Sequence, residues 1–325
     1  MNFFDDTSIS FPGLGIEGLD PPAGFTVFGL EIRFYAVIIV LGILLAVLYC
    51  CKRSRAFGLV PDNVIDLVLV SLPCAVVGAR AFYVISEWDT FFAPGVPWYE
   101  CITGIRNGGL AIYGGVLGAS AGLLIYFLTS KKRRARLLPS FDLCGFGLLI
   151  GQAVGRWGNF FNREAFGAYT DNLFAMRLSD STLPAITAKT PQAVVDQINR
   201  VRQMAVEGGY VGQIQVHPTF LYESVWNLVG LVLLHVLSKR RKFDGEIILG
   251  YVAWYGLGRA WIEGLRLDSL TEGSIRVSQL IAIVSCVAAT AAFCYFRFVR
   301  KPDPAKMLVN RCAAEAQEKN SKEEP

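Results

Sequence analysis

Long uncharged stretches alternate with short charged ones along most of this chain. Three of them, Phe34–Cys51, Gly108–Ser130 and Val277–Phe296, carry no charge at all. Each is close to the ~20 mostly apolar residues that a helix needs to cross a bilayer. In the second, glycines recur every four residues from Gly114 to Gly122, a spacing that lets helix backbones approach closely in lipid. The pattern predicts an integral membrane protein built from helices.

Four further stretches are apolar but interrupted by ionisable residues. They are Val64–Ser86, Phe141–Gly155, Pro218–Ser238 and Gly245–Leu265. Their charged residues include Asp66, Arg80, Asp142, Glu223, Glu246, Arg259 and Glu263. Ionisable groups at membrane depth are costly, so they usually face a polar cavity. The chain is therefore predicted to have seven transmembrane helices with a polar interior.

Basic clusters follow every odd-numbered predicted span. They lie at 52–55, 131–136, 239–242 and 297–301. Cytoplasmic loops of membrane proteins are enriched in Lys and Arg. The N-terminus is therefore predicted outside and the C-terminus in the cytoplasm, and the agreement of four clusters supports the count of seven.

The remaining segments complete this layout. Residues 1–33 are predicted to be an extracytoplasmic N-terminal segment, residues 34–299 the seven-helix membrane domain, and residues 300–325 a charged, disordered cytoplasmic tail. The longest polar loop, about 168–216, is predicted to be a small extracytoplasmic head with a helix-permissive stretch from Thr190 to Gly208. The predicted fold class is an all-α integral membrane protein.

Composition excludes several functions. The formal net charge of +4 is too small to indicate a nucleic-acid partner. Most of the eight cysteines lie in apolar stretches and none forms a C-x-x-C pair, while Cys101 stands alone in a polar loop. Neither a zinc site nor a disulfide framework is predicted, and no cofactor or metal is expected.

The densest group of polar residues runs from Gly155 to Gly167, with the sequence GRWGNFFNREAFG, here called the signature segment. It begins where the fourth predicted span ends. Arginine can bind phosphate with two hydrogen bonds, and asparagine amides can bond glycerol or ester oxygens. A polar cap on a helix end is the alternative, but the glycines and the amide-rich spacing favour a binding loop.

The sixth predicted span carries a second polar group. Tyr255, Arg259 and Glu263 are spaced four residues apart, so they share one helix face. Arg266 continues near that face at the outer end of the span. A structural ion pair between Arg259 and Glu263 is one interpretation. The other is a site for an anionic lipid headgroup.

Together these elements resemble the prolipoprotein diacylglyceryl transferases. The matches keep the family's order from about Tyr35 to Arg266. They are the signature segment, Tyr35 at the start of the first span, Arg80 in a Gly-Ala-Arg element, Asn107–Gly115, His217–Glu223 and Tyr255–Arg266. A single such motif would be weak, whereas this many in the same order are specific.

The chain departs from the family pattern at Tyr113. Many members carry a histidine there that is a proposed base, although others also have tyrosine. The chain has only His217 and His235, and His235 is predicted to be structural. A neutral tyrosine is a poor base, so Tyr113 is expected to position the lipid or the leaving phosphate. A base whose pKa is lowered by nearby arginine is the open alternative.

The resemblance implies a reaction and its site. Phosphatidylglycerol is the expected donor, and the lipobox cysteine of a prolipoprotein signal peptide is the acceptor. A thioether forms and glycerol phosphate leaves, in the bacterial cytoplasmic (inner) membrane, on a monomer surrounded by membrane lipids. The implied catalytic residues are Arg156, Arg259, Tyr113 and Tyr35. The implied phosphatidylglycerol-binding residues are Arg156, Asn159, Asn162, Glu164, Gly167, Tyr255, Arg259, Glu263, Arg266, Arg80 and His217.

Two other classes of protein share some of these features. A transporter or channel would also have buried charges and glycine-rich spans, but it predicts inverted repeats, which the two halves do not show. A scaffold that only binds lipid would not need Tyr, Arg, Asn and His elements from five segments. The transferase is therefore the preferred function.

Overall fold

The computed structural model describes residues 8–92, 97, 99, 109–187, 190–210, 212–267, 271–272 and 275–323. The chain divides into two compact units. The first unit comprises Met1–Leu48 and Cys144–Pro302, and the second comprises Tyr49–Leu143 and Asp303–Pro325. Cys101, Asn107 and Gly108, which the sequence analysis singled out, lie outside the described residues.

Nine helices of at least 16 residues dominate the described part of the chain. They are α1 Phe34–Arg53, α2 Pro61–Ser86, α3 Ile112–Leu128, α4 Leu137–Asn162, α5 Gln192–Glu207, α6 Thr219–Ser238, α7 Glu246–Leu265, α8 Val277–Cys294 and α9 Leu308–Glu323. Two short helical segments, Trp88–Phe91 and Lys131–Ala135, lie between them, and a π-helical segment, Tyr295–Arg300, continues α8. Seven of the nine overlap the seven predicted spans one for one.

Five segments are long and apolar enough to cross a bilayer, as judged by length and composition. They are Phe34–Phe57, Pro61–Ser86, Leu137–Asn162, Thr219–Ser238 and Ser278–Arg300. The other two predicted spans fit less well. Helix α3 is shorter, with 17 residues, and α7 carries charges at Glu246, Arg259 and Glu263. The seven-span count and the orientation therefore stay predictions.

Helix α4 corrects the prediction for the signature segment. The helix runs to Asn162, well beyond the predicted end at Gly155, so only residues 163–167 of the segment form a loop. Aromatic packing favours the longer helix, because the Trp157 and Phe160 rings lie 5.4 and 5.0 Å from the Phe220 ring. Tertiary contacts of this kind override the weak helix propensity of glycine.

A four-stranded antiparallel sheet was not predicted from the sequence. Its strands are β1 Ile9–Phe11, β2 Ile16–Leu19, β5 Met176–Ser179 and β6 Gln213–Val216, in the order β2-β1-β5-β6. The pairing of Ser10 with Arg177 joins the N-terminal segment to the head. Strands of three or four residues are too short for a reliable alternating pattern. By contrast, α5 lies within the stretch from Thr190 to Gly208 that the sequence marks as helix-permissive.

The core of the head also holds the end of the signature segment. One buried cluster combines residues of β1, β5, α5 and β6 with Phe166, Phe220 and Leu267. Phe166 belongs to the signature loop, and Phe220 opens α6. Apolar burial of this kind contributes about 25 cal/mol per Å², so the packing of the head fixes the loop beside α6.

Two hairpins complete the first unit. Strands β3 Gly24–Val27 and β4 Leu30–Arg33 pair antiparallel immediately before α1. Strands β7 Thr271–Glu272 and β8 Ile275–Arg276 pair immediately before α8.

Glycines bring α2 and α3 together in the second unit. A Cβ on Gly114 would lie 2.3 Å from the Gly78 carbonyl oxygen, and one on Gly118 would lie 2.2 Å from the Cys74 carbonyl oxygen. Only a missing side chain permits this approach. The close packing predicted from the spacing of four is confirmed.

The C-terminal tail corrects another prediction. Charge and low aromatic content predicted disorder after residue 300, yet α9 occupies Leu308–Glu323. Its sequence is rich in Ala, Glu and Lys, which favour helix. Met307 and Leu308 are buried, and a Cβ on Gly58 would lie only 2.7 Å from the Val309 nitrogen. Two apolar residues at the start of the helix are therefore enough to dock it.

Candidate functional site

The signature segment presents its polar residues on one helix face. Arg156, Asn159 and Asn162 are spaced three apart on α4, so they lie on neighbouring turns. Arg156 Nη1 donates to Asn159 Oδ1 at 3.3 Å. The Glu164 Oε1 atom accepts from Asn159 Nδ2 at 3.0 Å and from Asn162 Nδ2 at 3.2 Å. Four predicted site residues thus form one hydrogen-bonded chain.

The loop that follows is held in an unusual backbone conformation. Arg163 and Ala165 have φ angles of 53° and 59°, and each such non-glycine residue costs on the order of 1–3 kcal/mol. Buried Arg163 donates through Nη2 to Asp20 Oδ1 at 2.8 Å and to the Pro21 carbonyl at 3.1 Å. The Thr219 hydroxyl donates to the Ala165 carbonyl. These bonds maintain the strained loop and aim Glu164 toward the asparagines.

Charged side chains from α4, α6 and α7 form a second chain. Arg156 Nη2 lies 2.5 Å from Glu223 Oε2, and Arg259 Nη1 lies 3.2 Å from Glu223 Oε1. Arg259 Nη2 lies 2.6 Å from Glu263 Oε2, and Ser278 Oγ donates to Glu263 Oε1 at 2.7 Å. The ion pair between Arg259 and Glu263 therefore exists, but it is one link of a longer network. Each arginine side chain keeps 19% of its surface exposed, whereas Glu223 keeps 4%.

Glu223 belongs to this charged chain, although it was not among the predicted site residues. Its carboxylate lies between two arginines that are 103 residues apart in sequence and contacts one guanidinium nitrogen of each. The signal was present, because a buried carboxylate in an otherwise apolar helix usually has a functional partner. The sequence alone does not show which arginines pair with Glu223.

Two tyrosines border this charged chain. A Cβ on Gly158 would lie 2.8 Å from Cδ2 of Tyr35, so the missing side chain makes room for the Tyr35 ring against α4. Tyr255 lies one turn before Arg259 on α7, and its ring stacks on Tyr251 with centroids 5.7 Å apart. The Tyr251 hydroxyl in turn accepts from Gln152 Nε2 at 2.9 Å. Packing therefore restricts both predicted tyrosines.

Gly167 holds the signature loop against the start of α6 and the end of α7. Its N–H donates to the His217 carbonyl at 2.9 Å, and Gly167 also forms an isolated β-bridge with Arg266. A Cβ on Gly167 would lie 2.7 Å from the His217 Cβ and 2.8 Å from the Leu265 carbonyl oxygen. Glycine is required for this close approach, which positions the loop.

His217 lies just before α6, beside the head. Its Nδ1 atom is 3.3 Å from the Tyr222 hydroxyl, which also accepts from Asn172 Nδ2 at 3.0 Å. Burial lowers the pKa of His217 below its usual value of 6.5. The imidazole is therefore neutral at neutral pH.

Arg80 and Tyr113 belong to the second unit. Buried Arg80 donates through Nη1 to the Gly109 carbonyl at 3.1 Å and lies over the rings of Tyr83 and Phe91. Tyr113 lies in the first turn of α3 and is exposed. Arg80 thus fixes the segment that leads into α3, on which Tyr113 stands.

Similarity to known proteins identifies the family. The family model for prolipoprotein diacylglyceryl transferase matches residues 22–295, a range that covers all of the predicted site residues. The chain belongs to the prolipoprotein diacylglyceryl transferase family. The resemblance inferred from the sequence motifs is confirmed.

Named relatives align with most of this chain. A protein of Enterococcus faecalis named phosphatidylglycerol–prolipoprotein diacylglyceryl transferase is 40% identical over 290 residues, which are 88% of this chain and 93% of that protein. Proteins of the same name from Clostridium novyi and Streptococcus sanguinis are 37% and 35% identical. These matches cover 81% and 86% of this chain and 91% and 97% of those proteins. Family membership and the apolar helices together make the chain a multi-pass membrane protein.

Proposed function

We propose that this chain transfers the diacylglyceryl group of phosphatidylglycerol to the lipobox cysteine of a prolipoprotein signal peptide, the first step of lipoprotein maturation. The chain of Arg156, Glu223, Arg259 and Glu263 is the observation that carries this proposal, together with membership of the family. The enzyme acts as a monomer in the bacterial cytoplasmic (inner) membrane, with seven spans and its N-terminus outside.

The reaction is a substitution at an sp³ carbon. The cysteine thiolate attacks the glyceryl carbon that bears the phosphate, the carbon–sulfur bond forms, and the carbon–oxygen bond to phosphate breaks. The thiol proton is lost to a base, and glycerol phosphate leaves with the electron pair of the broken bond. The nucleophile must be the thiolate, and the leaving phosphate gains negative charge in the transition state.

The two arginines suit that gain of charge. Arg156 and Arg259 are held in place by Glu223 before substrate arrives, so little reorganisation is needed during the reaction. Guanidinium groups also match the geometry of phosphate oxygens. We assign the leaving phosphate to these two arginines.

The remaining predicted residues receive supporting roles in the proposal. Asn159, Asn162 and Glu164 bind the glycerol headgroup, since their amide and carboxylate groups already form one polar face. Tyr35 and Tyr255 border the phosphate, while His217, Gly167, Glu263 and Arg266 hold the surrounding segments. Arg80 holds the segment that leads into α3. Tyr113 donates a hydrogen bond to the lipid or to the leaving phosphate.

Purified protein incubated with phosphatidylglycerol and a lipobox peptide tests the function directly. Mass spectrometry is expected to show a peptide heavier by one diacylglyceryl group and to detect glycerol phosphate. The modified peptide should be absent when its cysteine is replaced by serine. A peptide that stays unmodified with active, folded protein would refute the proposal.

A further inference from the structure

The hairpin of β3 and β4 has one apolar and one polar face. Its register pairs Phe25 with Ile32 and Val27 with Leu30. Directly paired residues share a face of a sheet, and successive residues alternate between faces. The apolar face therefore carries Phe25, Val27, Leu30 and Ile32. The polar face carries Gly24, Thr26, Glu31 and Arg33.

The apolar face is open. Leu30, Phe25 and Val27 keep 65%, 42% and 37% of their surfaces exposed. Phe28 at the tip of the hairpin is fully exposed, with a φ angle of 49° next to Gly29 at 79°. Such two-residue turns favour asparagine or glycine at both positions. Neither turn geometry nor packing within the described residues accounts for an aromatic side chain at this position.

The hairpin is tied to the start of a candidate membrane span. Phe34, the first residue of α1, donates its N–H to the Ala23 carbonyl at 2.9 Å. The Phe25 ring lies 5.4 Å from the Phe34 ring, which stacks on Phe161 at 5.3 Å. A strand of four residues spans only about 13 Å. The apolar face is thus continuous with the surface of α1 and cannot lie far from the membrane boundary.

We infer that this hairpin is an interfacial anchor that inserts Phe28 and the apolar face among the lipids around the N-terminal end of α1. Aromatic and aliphatic side chains are favoured at the membrane–water interface. A segment there can bury one apolar face in lipid and keep its other face in water. The polar face includes the exposed Glu31 and Arg33, whose charges offset each other. The anchor is therefore apolar, and contact with it does not require anionic lipid.

The anchor has a route to the candidate site. Arg163 of the signature loop binds Asp20 and the Pro21 carbonyl, which lie a few residues before the hairpin. The contact with lipid would then set the depth of the signature loop relative to the headgroups. This second step rests on the proposed function, whereas the contact itself does not.

Photocrosslinking tests the contact. The full-length protein carries p-benzoylphenylalanine at position 28, and a matched control carries it at position 26 on the polar face. Both are irradiated in nanodiscs of phosphatidylcholine alone, and in parallel samples that also contain phosphatidylglycerol or a lipobox peptide. Mass spectrometry is expected to show phospholipid adducts at position 28 and not at position 26, with the same yield at high salt.

Three results would overturn the inference. Equal adduct yields at positions 26 and 28 would remove the distinction between the faces. Adducts that require phosphatidylglycerol would assign position 28 to donor binding. Crosslinks only to an added lipobox peptide would make the partner a protein. None of these readouts depends on transfer activity, so a failure of the anchor is distinct from a failure of the proposed function.

The coupling to the site has its own measurement. The double variant Phe28→Ser, Leu30→Ser is expected to raise the KM for phosphatidylglycerol in vesicles and to leave kcat unchanged. This is the pattern expected when an interaction is lost equally from the ground state and the transition state. A fall in kcat at unchanged KM would contradict a role in setting depth.

Discussion

Helices α4, α6 and α7 meet across charged side chains, whereas α2 and α3 meet across glycines. In the first region Glu223 separates and holds two arginines. In the second, Gly114 and Gly118 bring the helix backbones into contact. The first arrangement holds charged side chains in defined positions. The second brings two helix backbones close together and adds no polar side chain.

This difference predicts opposite responses to mutation. Removing a charge from the first region leaves much of the packing in place and should mainly change catalysis. Adding a methyl group in the second region leaves the chemistry untouched and should mainly change stability. Activity per folded molecule and unfolding midpoint separate the two effects.

The largest expected effect is that of Arg156→Ala on turnover. Loss of one preorganised donor to a developing negative charge typically lowers kcat about 100- to 1,000-fold. Glu223 keeps Arg259 as its partner at 3.2 Å, so the fold should survive. Single-turnover transfer and thermal unfolding in the same detergent measure both quantities. Near-normal turnover would show that Arg156 does not stabilise the leaving phosphate.

Arg297→Ala is a matched control for that substitution. Arg297 also pairs with a buried carboxylate, Glu246, but at the opposite end of α7. Its loss should lower the unfolding midpoint and leave the rate per folded molecule unchanged. Equal effects of both substitutions on that rate would erase the distinction between a reactive and a structural ion pair.

The next effect concerns the glycine interface. Gly118→Ala places a Cβ 2.2 Å from the Cys74 carbonyl oxygen, and overpacking of this kind costs about 1–3 kcal/mol. Gly115→Ala is the control, because its Cβ would lie 3.6 Å from the nearest atoms, in ordinary contact. Unfolding midpoints should fall for Gly118→Ala only. Equal midpoints for the two variants would mean that α2 and α3 are not closely packed.

Tyr113→Phe distinguishes the two roles left open for this residue. A positioning hydroxyl should be worth roughly 1–3 kcal/mol, which is about 10-fold to 150-fold in rate, with a loss that is largely independent of pH. A base would instead give a loss at pH 7 that recovers above the cysteine pKa of about 8.5. The rate of transfer measured from pH 6 to pH 10 decides between them.

The smallest expected effect is that of His217→Gln on the pH dependence of stability. Because burial lowers the folded-state pKa of His217 below 6.5, its contribution is complete above pH 6.5. It is lost as the pH falls from 6.5 through the folded-state pKa, where the unfolded chain takes up the proton more readily. The variant should lose less stability than the wild type between pH 7 and pH 5. The difference should be small, since the side chain is only half-buried. Parallel pH profiles of the unfolding midpoint would contradict this.

Local patterns were sufficient for the helices but not for their ends. Each predicted span overlaps a helix, because an apolar run of about 20 residues has few other ways to satisfy its backbone in lipid. The end of α4 was misplaced because its glycines and polar residues resemble a loop. The packing of Trp157 and Phe160 on Phe220, which favours helix there, depends on the fold. The strand β1 was missed since it has only three residues and one of its two partners, β5, lies far along the chain.

The sequence by itself determined the membrane class, the family and most of the candidate residues. Arg259 and Glu263 are recognisable because helical spacing places them on one face. Arg156 and Asn159 are recognisable from the composition of the signature segment. Only the tertiary structure decided that Glu223 joins Arg156 to Arg259 and that Asp20 holds Arg163. Those pairings depend on which helices and loops pack together, and local spacing carries no information about distances across a fold.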